Sequence, residues 1–220
     1  MNILKKHTNS LIFKIFLPIF LGFLSICVFC FPIATEMMQF DRDCLMKIQL
    51  WRLITGHFTH FSVNHLVWDL VVFVSLGIAC SVKDMKKFVT VVILSPLIIS
   101  IIIWFVRPDI QFYRGLSGID SALFTLFALN IMKESLKQGK KDFSFFMGII
   151  MILSITSKTI FEYISVETLF TSSANFIPLP LAHLAGIISA LLIFNPYLFR
   201  KIFSFYPKIG KIIFQLHFLG

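Results

Sequence analysis

The chain has 220 residues, 57% of them hydrophobic and 14% charged, with a formal net charge of +9; a soluble globular domain has roughly 45–50% apolar and ~25% charged residues. That balance excludes a water-soluble domain and marks a membrane protein. Lys and Arg fall in short clusters between apolar stretches and not on one polar face, so the positive charge reports membrane topology and no nucleic-acid partner.

A helix needs about 20 apolar residues to cross a bilayer, and six stretches qualify, at 11–34, 63–82, 88–106, 116–132, 143–165 and 177–199. They predict an all-α polytopic membrane protein: one six-transmembrane-helix domain over residues 1–199, with a basic amphipathic tail over 200–220. The first stretch exceeds the ~7–15-residue apolar core of a cleaved signal peptide and lacks a small-x-small exit, so it reads as a retained span.

Alternate connections are basic. Lys5, Lys6 and Lys14 lie at or before the first span; Lys83, Lys86 and Lys87 follow the second; Lys133, Lys137, Lys140 and Lys141 follow the fourth; Arg200, Lys201, Lys208 and Lys211 follow the sixth. The positive-inside rule puts both termini in the cytoplasm. The connection 35–62 is then extracytoplasmic, and its Leu45, Ile48, Trp51 and Ile54 among charges suit a segment lying in the interface. Cys27 and Cys30 fall inside the first span, Cys80 ends another and Cys44 sits in a connection, which makes no disulfide framework or zinc pattern. No cofactor is implied.

Ionisable groups inside spans are costly and face the protein interior. Span two opens with His57, His60, Asn64, His65 and Asp69, of which His65 and Asp69 share a helix face at i,i+4. Span four opens with Gly115-Leu116-Ser117-Gly118 and places Asp120 one turn on; span six carries His183 and Gly186. Counting to the first basic residue at the inner end, Lys133, Arg200 and Lys83, gives 16 residues for Ser117, 17 for His183 and 18 for His65. At ~1.5 Å per residue all three stand about 24–27 Å above the inner boundary. In a core about 30 Å thick they share one level just below the outer surface. Lys158 and Glu162, four apart near the outer end of span five, predict a mutually neutralising pair.

Ser117 by itself reads as a small packing residue at a helix start. Beside His183 it acquires a chemistry: an imidazole takes the hydroxyl proton, serves later as acid to the leaving amine, and makes the serine a nucleophile. The unpaired backbone N–H groups around Ser117 and Gly118, at the positive end of the helix dipole, suit an oxyanion, to which His65 also donates. Gly115 and Gly118 permit the tight entry, and Gly186 lets spans four and six approach.

The Trp51-Arg52 to Asp69 stretch with His65, the Gly115-Leu116-Ser117-Gly118 stretch and the Ala182-His183-Leu184-Ala185-Gly186 stretch, in that order, resemble a rhomboid intramembrane serine protease over about residues 45–195. Trp51-Arg52 through His57, Tyr113-Arg114 through Gly118, and Phe176-Ile177-Pro178 through His183 are most similar to the rhombosortase branch. The resemblance implies a Ser117/His183 dyad, an oxyanion site including His65, and cleavage near the outer face of a bacterial inner membrane. For that branch it implies protein substrates with a C-terminal transmembrane segment, from which a sorting tail of a glycine-rich motif, a helix and a basic end is removed.

Two positions depart from the family pattern. Asp69 stands where rhomboids commonly carry an asparagine oxyanion donor, and Ser121 stands where many place an aromatic ring beneath the catalytic histidine. A carboxylate repels an oxyanion unless it is protonated or instead orients His65 or His183; Asp120 is a further candidate to orient His183. Two other readings accompany the protease: a metal-binding or transport protein using His57, His60, His65 and Asp69, with Glu162 as a further candidate ligand, and an inactive rhomboid-like protein that binds membrane clients. The first leaves Gly115–Gly118 and His183 without a role, and no His-Glu-x-x-His helix is present.

Overall fold

The computed structural model describes residues 2–165 and 179–195. Expectations for residues 176–178 and for the tail at 200–220 lie outside them. The first helix, α1 (Asn2–Cys30), stops at Phe31, whose extended backbone (φ −116°, ψ 99°) is what a following proline imposes; Pro32 then opens the short α2 (Pro32–Met38). The single span expected over 11–34 is therefore a helix, a break and the start of another.

The second and third expected spans form one assigned helix, α5 (Val63–Val106), interrupted at Asp84 (φ −150°, ψ 89°). On a straight helix Gly77 and Phe88 would stand roughly 16 Å apart, yet a Cβ on Gly77 would lie 3.3 Å from the Phe88 ring. The chain therefore folds back at Asp84 into two limbs. The Asp84 carboxylate accepts a hydrogen bond from the Lys87 N–H at 3.1 Å and so caps the second limb. On the first limb, Leu70 and Val74 meet Gly22, Gly77 meets Pro18, and the Ser81 hydroxyl donates to the Lys14 carbonyl at 2.7 Å. That register sets α1 antiparallel to it.

Among the described residues three helices are long and apolar enough to cross a membrane, Leu11–Cys30, Val63–Val106 and Phe143–Ser165, and Pro180–Phe194 is a shorter apolar one. The chain is a multi-pass membrane protein. Between these runs α6 (Ser117–Lys137), long enough but too polar to join them, because it carries Asp120, Asn130, Lys133 and Glu134. Its position explains the polarity: α6 packs against α5, α7 (Phe143–Ser165) and α8 (Pro180–Phe194), with Ile119, Ala122, Leu123 and Leu126 inaccessible. A helix enclosed by protein does not need a lipid-compatible face. Phe73, Cys80, Phe88, Val91 and Leu116 complete the core around it.

Lys14, Lys83, Lys87 and Lys133 gather at one end of the bundle. Lys14 donates to the Val82 carbonyl, Lys83 pairs with Glu134, and the ammonium groups of Lys87 and Lys133 face the Phe194 ring at 3.9 and 5.7 Å. At the opposite end, residues expected only as an interface-lying segment fold into a built layer. It comprises α2, α3 (Arg42–Met46), α4 (Arg52–Thr55), a 3₁₀ turn (Gly56–Phe58) and a two-residue strand β1 (Phe40–Asp41), antiparallel to β2 (Phe112–Tyr113). Two arginines hold it. Arg52 donates to the carbonyls of Glu36 (2.7 Å) and Gln39 (2.9 Å), and Arg42 donates to those of Trp104, Arg107 and Ile110 at 3.0–3.2 Å. The second contact satisfies the open carbonyls at the end of α5 and meets the negative end of its dipole.

Candidate active site

Ser117 owes its position to the turn before it. Gly115 has φ +123°, a conformation that side chains disfavour, and a Cβ there would lie 2.7 Å from the His65 ring. The next amide, Leu116 N–H, donates to Asp69 Oδ2 at 2.8 Å. His60 Nε2 is hydrogen-bonded to the same oxygen at 3.2 Å, and His65 Nε2 also lies 3.2 Å from it. One carboxylate oxygen thus joins the extramembrane loop, the first limb of α5 and the entry to α6. A negative charge at the amino end of α6 is also favoured by its dipole. Asp69 lies on His60, His65 and Leu116, and His183 has a different partner.

Truncating this carboxylate has a calculable cost. Asp69→Ala leaves the buried Leu116 N–H without its acceptor, for about 1–3 kcal/mol from that group alone. Thermal unfolding in detergent will show a lowered midpoint, and the smaller loss will come in Asp69→Asn, whose amide oxygen still accepts.

Tyr113 lies under the turn. Its hydroxyl donates to the Gly115 carbonyl at 3.3 Å. Burial first, then the neighbouring carboxylates Asp69 and Asp120, pushes the phenol up, so it stays neutral. The Ser121 hydroxyl donates back to the Ser117 carbonyl at 2.9 Å, a bond within α6 that gives His183 no platform.

His183 approaches from α8. A Cβ on Gly186 would lie 2.0 Å from the Gly118 carbonyl oxygen, and one on Gly118 would lie 3.1 Å from the Ala182 carbonyl oxygen. The two helices touch backbone to backbone, which only glycine allows. His183 Nδ1 sits 2.9 Å from Glu162 Oε2, and the Lys158 ammonium lies 2.8 Å from both oxygens of that carboxylate. The expected Lys158/Glu162 pair is present, but its carboxylate also reaches His183. Asp120 does not reach it: its Oδ1 is buried with no hydrogen-bond partner among the described residues. Ser117, His65, Asp69, Asp120, Glu162 and His183 all line one cavity of about 960 Å³. Residues placed at one depth by counting along three helices meet in one space.

His57 and His60 anchor the loop. His57 Nε2 lies 3.2 Å from the Pro96 carbonyl and 3.1 Å from the Ser100 hydroxyl, and its ring meets Tyr113 edge to face. His60 is committed to Asp69. Among the described residues no group of three or more His, Cys, Asp or Glu side chains is arranged to hold a metal ion.

Burial pushes the His57 imidazole from 6.5 down to about 4. Between those values the unfolded chain binds a proton that the folded chain refuses, so stability rises with pH across the window and is lost as pH falls through it. The total is roughly 3 kcal/mol. His60, lowered by burial in spite of Asp69, adds to the same slope. Unfolding midpoints followed from pH 7 to pH 4 will fall, and His57→Asn will flatten part of that fall.

A family model described as the rhomboid domain matches residues 47–201. The chain belongs to the rhomboid family. No curated protein sequence matches the chain significantly. Rhomboids are a family of intramembrane proteases, and the matched region contains every residue of the cavity. Glu162 is the cavity residue that reading the rhomboid-like motifs missed. Its i,i+4 lysine explained it away; the signal that remained was an acid on the span adjoining His183 with one carboxylate edge to spare.

Proposed function

We propose that this rhomboid is an intramembrane serine endopeptidase in which Ser117 is the nucleophile and His183 the general base and acid. The observation that carries the reading is the shared cavity, entered by Ser117 and His183 from two helices in backbone contact at Gly118 and Gly186. Ser117 Oγ attacks the scissile carbonyl while His183 accepts its proton. The tetrahedral oxyanion is met by the N–H groups that start α6, at Ser117 and Gly118, which have no partner within the helix. The amine leaves with the proton from His183, and water repeats the sequence to release the acyl group.

Asp69 has a supporting place in this scheme. Its contacts with His65 and the Leu116 amide occupy Oδ2, so in this scheme its negative charge orients the groups around Ser117. His65, with Gly115 against its ring, bounds the oxyanion site.

The two limbs of α5 with α1, α6, α7 and α8 make the six spans, and the lysine-bearing end faces the cytoplasm, with both termini on that side. The cavity then opens toward the outer face of a bacterial inner membrane. Substrates are membrane-anchored proteins with a C-terminal transmembrane segment, and the rhombosortase-like motifs favour removal of a C-terminal sorting tail. A fluorophosphonate probe applied to membranes will label the wild type at Ser117 and leave Ser117→Ala unlabelled; a wild type that resists the probe would overturn the reading.

A further inference from the structure

We propose that Glu162 is the third member of the reactive group, a positioning residue that holds His183 in its working tautomer and stabilises the imidazolium as it forms. The inference rests on the Ser117/His183 assignment above and adds a carboxylate to it.

Most of α7 is accessible, with Gly148, Thr159 and Glu162 as its buried residues. Among the exposed side chains Ile160, Phe161, Tyr163 and Ile164, Glu162 alone is turned inward, at 2% exposure. A carboxylate is expensive to bury and needs partners. An ion pair with Lys158 alone does not need that burial, since the lysine side chain keeps 22% of its surface exposed and both groups would be better solvated nearer the membrane surface. What the inward turn adds is the 2.9 Å contact with His183 Nδ1.

That contact decides which nitrogen is basic. A carboxylate accepting from Nδ1–H leaves the lone pair on Nε2, the second ring nitrogen, and fixes the ring plane. When Ser117 attacks, its proton moves to Nε2, the new O–C bond forms from the serine oxygen pair, and His183 becomes cationic between the nascent oxyanion and Glu162. The proton on Nδ1 stays on the ring, and Glu162 remains ionised throughout. Lys158, bonded to both carboxylate oxygens, restrains the carboxylate from the other side. Of the other carboxylates of the cavity, Asp109 is paired with Arg107, Asp69 lies on His60, His65 and Leu116, and Asp120 Oδ1 is buried without a hydrogen-bond partner among the described residues. Ser121 faces its own helix. The cavity thus contains one carboxylate on His183, and it comes from α7.

The test is the kinetics of fluorophosphonate labelling in detergent-solubilised full-length protein. For Glu162→Gln the maximal inactivation rate is expected to fall by about 10²–10⁴-fold, with the probe's half-saturating concentration within about threefold of wild type, and Glu162→Asp is expected to recover part of the rate. Lys158→Gln, which breaks the ion pair but leaves the carboxylate on His183, is expected to keep at least a tenth of it. Equal losses in Glu162→Gln and Lys158→Gln, tracking equal falls in unfolding temperature, would make Glu162 a purely structural residue and overturn the proposal. So would a Glu162→Gln rate within threefold of wild type. In both cases the wild type still labels at Ser117, so the protease reading stands; absence of labelling in the wild type removes both.

Discussion

Ser117→Ala will abolish cleavage of a membrane protein carrying a C-terminal transmembrane segment, and His183→Ala will do so to a similar extent. The expected fall is about 10⁶-fold, since nucleophile and base act as one unit and the loss of either costs nearly as much as the loss of both. The double variant should accordingly be no worse than either single one. The measurement is the rate of appearance of the shortened product in reconstituted vesicles, with each variant's unfolding temperature as the control for intact structure. Ser117 and His183 contribute little to packing: a small hydroxyl at a helix start and an imidazole at a cavity wall. Both alanine variants should therefore melt within a few degrees of wild type. Cleavage surviving in Ser117→Ala would assign the chemistry to another group.

Gly186→Ala should cost about 10²-fold in cleavage rate although it touches no reacting atom. Its new methyl carbon would stand 2.0 Å from the Gly118 carbonyl oxygen, well inside van der Waals contact. The opposing group is backbone and has no rotamer to change. Relief requires α6 and α8 to separate by more than about 1 Å, and a displacement of that size between reacting groups costs about two orders of magnitude. The loss should appear in the cleavage rate at saturating substrate, with an equally slowed fluorophosphonate reaction at Ser117. A Gly186→Ala variant of wild-type speed would mean that the two helices are not held at the distance their backbones show. The conservative size of the change, one methyl group, makes the result informative.

Helix existence is legible because apolar length is a strong signal, and the start of α7 at Phe143 matches the expected start of span five. Two features of α5 were not. The second and third spans were separated by an expected polar gap, whereas the chain turns on Asp84 alone, a cap that supplies its own N–H partner three residues on. The outer layer was read as a segment lying flat because its hydrophobicity has no period; its order comes from Arg42 and Arg52 collecting backbone carbonyls far away in sequence. At the cavity, spacing along each helix brought Ser117, His65 and His183 to one depth, a quantity that 1.5 Å per residue determines. Side-chain direction around the helix axis is not determined that way. Glu162 could serve Lys158 from the same face that serves His183, so the nearer partner in sequence concealed the farther one in space.

The three contacts on Asp69 Oδ2 have a consequence for biogenesis. Leu116 lies 47 residues beyond Asp69, and the turn that presents Ser117 is completed only when that amide finds an oxygen already holding His60 and His65. A chain still emerging into the bilayer, with the α5 hairpin inserted and α6 not yet docked, has no such turn. The turn that presents the proposed nucleophile is therefore complete only after α6 has docked on α5, and His183 reaches it later still, from α8.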